Sequence, residues 1–451
     1  MNPSASPALP AAVRTLPARP RVWIETYGCQ MNVADTELML GGLQKDGWEV
    51  AGQLDQADVI LLNTCAVREK AEERIYGRVS QLLRFKYTNP NLLLGITGCM
   101  AEHLREKILD RAPYVDVVVG PDAYRRLPAL LRSAAAGDPQ VDVRLDRAET
   151  YEGMTQARGA GVSGWVTIQR GCDKFCTFCI VPYTRGRERG TSPRETLRQV
   201  RELAEMGYRE VTLLGQTVNS YRWEDVDFAD LLALVSEVEG IERIRYTSPY
   251  PVDFTPKLIE ALGSLPKVQP YLHLPLQSAS NEMLEAMKRG YTVEEFRAIV
   301  EALRARIPDI ALSTDIIVGF PEETDAQYEE TRALMEEVRF DFAFLFAYSE
   351  RDGTYASRKI PDTVPEAVKK ARLSRLVALQ EGVSAERYQR RVGQVVEVLV
   401  EGPGRREEGT WFGKSGDFKT TVFTGEAQPG DVARVRVDRA SPHSLSGVRV
   451  G

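Results

Sequence analysis

Histidine is scarce in this chain, and its scarcity excludes much chemistry. Among 451 residues only His103, His273 and His443 occur, none spaced with a cysteine as a zinc finger requires. No nucleophilic triad and no acid–base pair stands out. Long apolar runs are lacking too, so no bilayer-spanning helix and no membrane association is expected. Residues 1–20 are rich in Pro and Ala but lack the apolar stretch of a signal peptide, and read as a disordered tail on a cytoplasmic protein. Positive charge is not in excess: 58 Lys and Arg face 64 Asp and Glu, a formal net charge of −6. That balance excludes a uniformly basic coat but leaves room for a local patch that binds nucleic acid. A hydrophobic content of 43% with 27% charged residues is that of a soluble globular protein, and the length suggests two to four domains.

Cysteine is rare as well, and all six cysteines fall in short motifs. Three of them form Cys172-x-x-x-Cys176-x-x-Cys179. The others, Cys29, Cys65 and Cys99, each follow an apolar run that reads as a strand. Two sets of three soft thiolates suggest two metal clusters, each with one iron left unligated by protein. Buried thiols remain open as another reading, above all for the first set, and so do disulfides, although nothing points to an oxidising compartment.

Over residues 21–138 the pattern strand–Cys–helix repeats. V-W-I-E-T-Y-G-C29 precedes a helix opened by Asn32 or Asp35; D-V-I-L-L-N-T-C65 precedes one with Ile75, Val79 and Leu82 or Leu83 on one face; N-L-L-L-G-I-T-G-C99 precedes M-A-E-H-L-R-E-K-I-L. Alternating strands and helices imply a parallel sheet. Each cysteine is thereby placed at the carboxyl edge of its strand, where open α/β sheets bind ligands and helix N-termini favour anionic sulfur. After a linker at 139–157, residues 158–385 show strands at Trp165, Val211, Ile244, Tyr271, Ala311 and Phe342 with helical patterns between them. Six β/α repeats indicate a partial barrel with its chemistry at the strand carboxyl ends. Residues 386–451 shift to short strands; in A-R-V-R-V, Val435 and Val437 alternate with Arg434 and Arg436, a half-buried strand with a basic outer face. The fold class is therefore α/β: a parallel α/β sheet domain, a partial (β/α)6 barrel and a small C-terminal β-barrel.

The Cys172–Cys179 motif after the first barrel strand resembles the radical S-adenosylmethionine (SAM) superfamily. Taken with T-Y-G-C-Q-M-N (26–32), N-T-C-A-V-R-E (63–69), G-C-M-A-E (98–102) and C-T-F-C-I-V-P-Y-T-R-G-R-E-R (176–189), it resembles the methylthiotransferases from about residue 21 onward. A-V-R-E and the I-V-P-Y-T-R-G-R-E-R run favour the branch that acts on N6-dimethylallyladenosine in tRNA. Branches acting on threonylcarbamoyladenosine or on a ribosomal protein are the alternatives, and a non-catalytic iron–sulfur RNA-binding protein is a remoter one.

The resemblance implies that Cys172, Cys176 and Cys179 hold a 4Fe–4S cluster whose open iron chelates SAM. It implies that Cys29, Cys65 and Cys99 hold an auxiliary 4Fe–4S cluster that delivers sulfur to C2 of adenine, a second SAM supplying the methyl group. Phe178, Gln216, Ser248, Gln277 and Asp315 are its candidate SAM contacts, the last three at strand ends; each could instead be a core or capping residue. The strand I-V-G-F-P-E-E (317–323) resembles the one that approaches adenine. Three departures stand out: Glu322 where the family usually has Gly, Ala279 for a common Gly and Tyr250 for a common His. The C-terminal segment resembles a TRAM domain. Arg185, Arg187 and Arg189, with Lys414 and Lys419, are the candidate contacts to a tRNA anticodon stem-loop, the bland alternative being a solvated face paired with Glu188 and Glu195. Further partners implied are an electron donor such as a flavodoxin or ferredoxin and a protein that supplies sulfur or clusters.

Overall fold

Short apolar runs buried on both faces dictate the N-terminal unit. In β3 (Val59–Thr64), Val59 and Leu61 face one layer and Ile60 and Leu62 the other, so the strand is buried on both sides. The computed structural model describes residues 13–66, 69–405 and 407–451. Around β3 it builds a six-stranded, all-parallel sheet, with β1 (Arg21–Tyr27), β2 (Glu49–Val50), β4 (Leu93–Gly98), β5 (Val117–Val119) and β6 (Gln140–Asp142) in the order β2-β1-β3-β4-β5-β6. On one face Leu38 and Leu43 of helix Gln30–Lys45 pack with Leu127 and Leu131 of helix Leu127–Ala135. On the other, Ile75, Val79 and Leu82 of helix Glu69–Thr88 pack with Ile96 and Ile108.

Residues 1–12, in the expected disordered tail, lie outside the described residues, as do Val67 and Arg68 of the A-V-R-E motif. Residues 13–20 lie along this unit: Arg14 N–H donates to Ala135 O at 2.7 Å, the Arg14 side chain pairs with Asp116, and Leu16 packs on the core.

The second unit contains six parallel strands: Ser163–Thr167, Glu210–Leu214 and Arg243–Tyr246 in one sheet, Tyr271–His273, Ala311–Val318 and Phe342–Ala347 in another. A parallel bridge between Ile244 and Val268 leads from the third strand toward the fourth. Connecting helices start where sequence chemistry says they should. Ser192 Oγ accepts from Glu195 N–H with Pro193 in the first turn, and Thr292 with Glu295 and Thr324 with Gln327 form capping boxes. Residues 395–449 close a five-stranded barrel around Val398, Val400, Phe423, Ala433 and Val435, with Arg434 and Arg436 outside. Among the described residues no helix is long and apolar enough to cross a membrane.

Buried charge ties this barrel to the six-stranded region. Lys419 Nζ lies 2.7 Å from Asp341 and 3.0 Å from Asp417, all three nearly inaccessible, and Arg387 donates to Asp341 at 2.8 Å. The neighbouring barrel residues are reached through backbone: Arg243 donates to Lys414 O at 2.8 Å, and Arg245 to Ser415 O and Gly416 O. Burial pushes the Asp341 carboxyl up, but Lys419 and Arg387 outweigh it and hold it below the usual range. Its contribution to stability is therefore intact above the ordinary carboxylate value near pH ~4 and is lost as pH falls through the lower folded value. Asp341→Ala takes the carboxylate from Arg387 and leaves Lys419 with Asp417 alone, and is expected to cost about 3–5 kcal/mol, read as a lower melting temperature of the apoprotein at pH 7 and a loss that shrinks as pH falls below about 4; an unchanged melt at pH 7 would contradict the assignment.

Candidate functional site

Two sequence features force the chain around the first set of cysteines. Gly28 sits at φ +151°, and a β-carbon there would stand 2.2 Å from Asn32 Oδ1 and 3.1 Å from Cys65 Cβ. At Gly98 (φ +91°) one would meet Thr64 O at 2.5 Å and Asn63 Oδ1 at 2.6 Å. These glycines let three strand ends close on each other. Buried Asn32 and Asn63 lace two of them: Asn63 Nδ2 donates to Asn32 O at 2.7 Å, and Asn32 Nδ2 donates to Asn63 Oδ1 and Thr64 O at 3.3 Å. Thr64 Oγ1 donates to Thr97 O at 2.8 Å and joins the third. Cys29 itself is the N-cap of helix Gln30–Lys45, with Asn32 completing the capping box. The expectation that Asn32 or Asp35 opens this helix is corrected: Asp35 lies a turn further in and is buried. Cys65 directly follows β3, and Cys99 begins helix Cys99–Leu104 directly after β4. Strand order reverses between β1 and β3, so the cysteines gather where open α/β sheets form their binding crevice.

Beside them lies a buried charge group. Arg185 Nε donates to Cys99 Sγ at 3.2 Å and its Nη2 to Asp35 Oδ2 at 2.7 Å, while Arg170 Nη2 donates to Asp35 Oδ1 at 3.1 Å. Side-chain exposures are 4% for each arginine and 1% for Asp35. Two buried guanidinium groups thus share one carboxylate. Burial works against the Arg185 charge, yet Asp35, Cys99 and Cys29 hold it firmly protonated; burial raises the Cys99 thiol, and Arg185 pulls it the other way. An uncompensated buried charge is costly, so anionic sulfur is the chemistry that fits. Among the described residues no group of three His, Cys, Asp or Glu side chains is disposed to hold a single metal ion. A cubane cluster, which sets its cysteines apart across itself, asks for no such group.

Cys172, Cys176 and Cys179 share the loop that follows strand Ser163–Thr167. Cys176 has an arginine of its own: Arg289 Nη1 donates to its Sγ at 3.2 Å, with Nε on Tyr291 Oη at 3.3 Å and Nη2 on Pro275 O at 3.2 Å. Tyr250, one of the departures from the family pattern, covers this guanidinium at 4.6 Å. A second departure, Glu322, is at φ +69°, where glycine is the undemanding residue. Ala279, the third, is buried and donates its N–H to Thr331 Oγ1 at 3.0 Å.

The remaining expected residues fall in several places. Phe178 packs against the cluster of Met283, Met287, Phe320 and Tyr348. Gln216 follows strand Glu210–Leu214 with Oε1 buried and, among the described residues, without a hydrogen-bond donor. Ser248 and Gln277 lie beyond the third and fourth strands at φ +58° and +74°, and Phe175 in the cysteine loop is at +50°; left-handed non-glycine residues of this kind gather at functional sites. Asp315 is not at a strand end. It is the fifth residue of the eight-residue strand Ala311–Val318, which continues past it, and its Oδ2 lies 3.3 Å from His273 Nε2.

The arginine-rich run is divided. Arg187 is exposed and pairs with Asp173 at 2.6 Å. Arg185 is buried as described, and the Arg189 side chain, 7% exposed, pairs with buried Asp122 at 2.7 Å. Neither presents a solvent face, because each neutralises a distant carboxylate. Lys419 is likewise taken by Asp341 and Asp417, whereas Lys414 is half-buried, donating to Thr420 Oγ1 at 2.7 Å and lying over Phe418. Arg170 and Arg289 are not among the expected site residues and Asp35 is expected only as a helix-opening residue; their spacing to the cysteines carries no motif, although Arg170 is the arginine of R-G-C (170–172).

Comparison with known proteins follows this division. An uncharacterised protein family, UPF0004, matches residues 21–120, the radical SAM superfamily residues 166–335 and the TRAM domain residues 389–450. A tRNA-2-methylthio-N(6)-dimethylallyladenosine synthase of Chlorobium limicola is 46% identical over 95% of this chain and 98% of its own length. The protein of that name from Porphyromonas gingivalis is 44% identical over 95% and 94%. Among solved structures, the radical S-adenosylmethionine methyltransferase TsrM from Kitasatospora setae shares the fold with a TM-score of 0.56 at 13% identity, over 75% of this chain and 77% of that one.

Asp35 is the one carboxylate shared by Arg170 and Arg185. Asp35→Ala is expected to destabilise the apoprotein by about 3–5 kcal/mol, measured by thermal unfolding, and Asp35→Asn by less.

Proposed function

Because the chain belongs to the family of tRNA-2-methylthio-N(6)-dimethylallyladenosine synthases, we propose that it adds a methylthio group to C2 of N6-dimethylallyladenosine beside the anticodon of tRNA. It is a SAM- and 4Fe–4S-using enzyme. The observation that carries the reading is that each cysteine set has a buried arginine on one sulfur, Arg185 on Cys99 and Arg289 on Cys176, each at 3.2 Å. A guanidinium N–H on sulfur is a charge-assisted donor suited to an anionic sulfur ligand, and thiolate is the form that ligates iron.

In this reading Cys172, Cys176 and Cys179 hold one 4Fe–4S cluster and Cys29, Cys65 and Cys99 a second. When bound, clusters and SAM supply the one-electron radical chemistry, the sulfur and the methyl group. The protein supplies position and exclusion of water. Arg289 holds Cys176 against its loop, and Tyr250 and Tyr291 shield that guanidinium from solvent. Phe178, Gln216, Ser248 and Gln277 are the candidates for placing SAM, with Asp315 reaching from within its strand. Arg187, half-buried Lys414 and the exposed face of Arg434 and Arg436 are the cations near enough to solvent to meet phosphates. An unpaired anticodon-loop base can be splayed toward the site at modest cost. An electron donor of the flavodoxin or ferredoxin type and a sulfur- or cluster-supplying protein complete the system, in the cytoplasm.

The test is anaerobic reconstitution with SAM, a reductant and tRNA bearing both dimethylallyl- and threonylcarbamoyl-adenosine, followed by mass analysis of nucleosides. A methylthio group on the dimethylallyl base is expected; its appearance only on the threonylcarbamoyl base would overturn the choice of substrate. Cys176→Ala is expected to abolish SAM cleavage, and Cys99→Ala to spare cleavage while losing sulfur insertion. Methylthiolation retained by the Cys99 variant would refute the two-cluster assignment.

A further inference from the structure

The two arginines on cysteine sulfur differ in one respect. All three nitrogens of Arg289 are engaged, by Tyr291 Oη, Cys176 Sγ and Pro275 O. In Arg185, Nε is on Cys99 and Nη2 on Asp35, while Nη1 is buried and has no acceptor among the described residues. A buried guanidinium N–H without an acceptor is rare and costly, and here it belongs to a group that already carries surplus positive charge. Arg170 does not relieve it, since it is itself a cation on the same Asp35. The nearby pair Arg189 with Asp122 is balanced in charge and so supplies no spare anion; Arg189 also donates to Arg185 O at 2.8 Å, while its own Nε is buried without an acceptor among the described residues. Among the described residues, the surroundings of Cys99 and Cys29 are therefore short of one anion and of one hydrogen-bond acceptor, both beside Arg185.

We propose that Arg185 is a binding residue for the transferable sulfur: its Nη1 donates to an anionic sulfur, sulfide or methylthiolate, held at the open position of the group on Cys29, Cys65 and Cys99. This rests on the reading that those cysteines carry a cluster. The charge-assisted N–H···S contact lowers the free energy of the anion where water is excluded. Arg289, without a spare corner, has no equivalent role, which matches a site whose open position is expected to take the amino and carboxylate groups of SAM.

The test uses the full chain with Cys172, Cys176 and Cys179 replaced by Ala, so that one cluster remains, reconstituted anaerobically. Methanethiolate is titrated in and followed by the change in the electron paramagnetic resonance spectrum of the reduced cluster. Arg185→Met is expected to weaken methanethiolate at least tenfold with iron content unchanged, and Arg185→Lys, which keeps the charge but not the planar fork, to fall between. Equal affinity in the parent and the Met variant at equal iron would overturn the proposal. If the Met variant loses iron, the Lys variant decides, parental affinity counting against the fork geometry. A parent chain that takes up no iron at these cysteines would instead overturn the underlying cluster reading and the proposal with it.

Discussion

Two buried arginines on one carboxylate are the constraint from which the N-terminal site follows. Asp35 can neutralise only one of Arg170 and Arg185, and a guanidinium cannot shed its proton to escape burial. The sheet therefore keeps a positive charge at the crevice where its strand order reverses. Among the described residues, anionic sulfur at Cys99 and Cys29 is what stands ready to answer it. Gly28 and Gly98, the Asn32–Asn63 lacing and the Thr64–Thr97 bond then read as the means of holding three strand ends close around that charge.

Charge is used in the same way elsewhere in the chain. Lys419, Asp341, Asp417 and Arg387 join the C-terminal barrel to the six-stranded region through buried pairs, and Arg243 and Arg245 reach barrel carbonyls. Such pairs add less net stability than apolar packing would, but breaking one is expensive. Their value here is a fixed register between parts that share little continuous core.

How much of this the sequence disclosed depends on whether a feature is local. Strand–Cys–helix succession, six barrel strands and the alternation of Val435 and Val437 with two arginines are properties of short windows, and the structure has them where the residues predict. The fate of a charged side chain is not local. Arg185 and Arg189 lie in a dense basic run, yet their carboxylates are 150 and 67 residues away. Lys419 finds Asp341 across 78 residues. Local charge density cannot distinguish a solvated cation from one committed to so distant a partner. Asp35 was legible only as a capping residue for the same reason, because its two arginines come from another part of the chain. Asp315 was misplaced by a simpler matter, a strand that runs three residues further than its functional reading needs.

The most direct test of the account is the iron inventory of the anaerobically reconstituted protein, with Mössbauer spectra, compared between the parent and the Cys29→Ala/Cys65→Ala/Cys99→Ala variant. Iron for two 4Fe–4S clusters is expected in the parent and for one in the variant, with the remaining cluster still responding to SAM. Equal iron in both proteins would show that the three strand ends around Arg185 hold no cluster, and would contradict it.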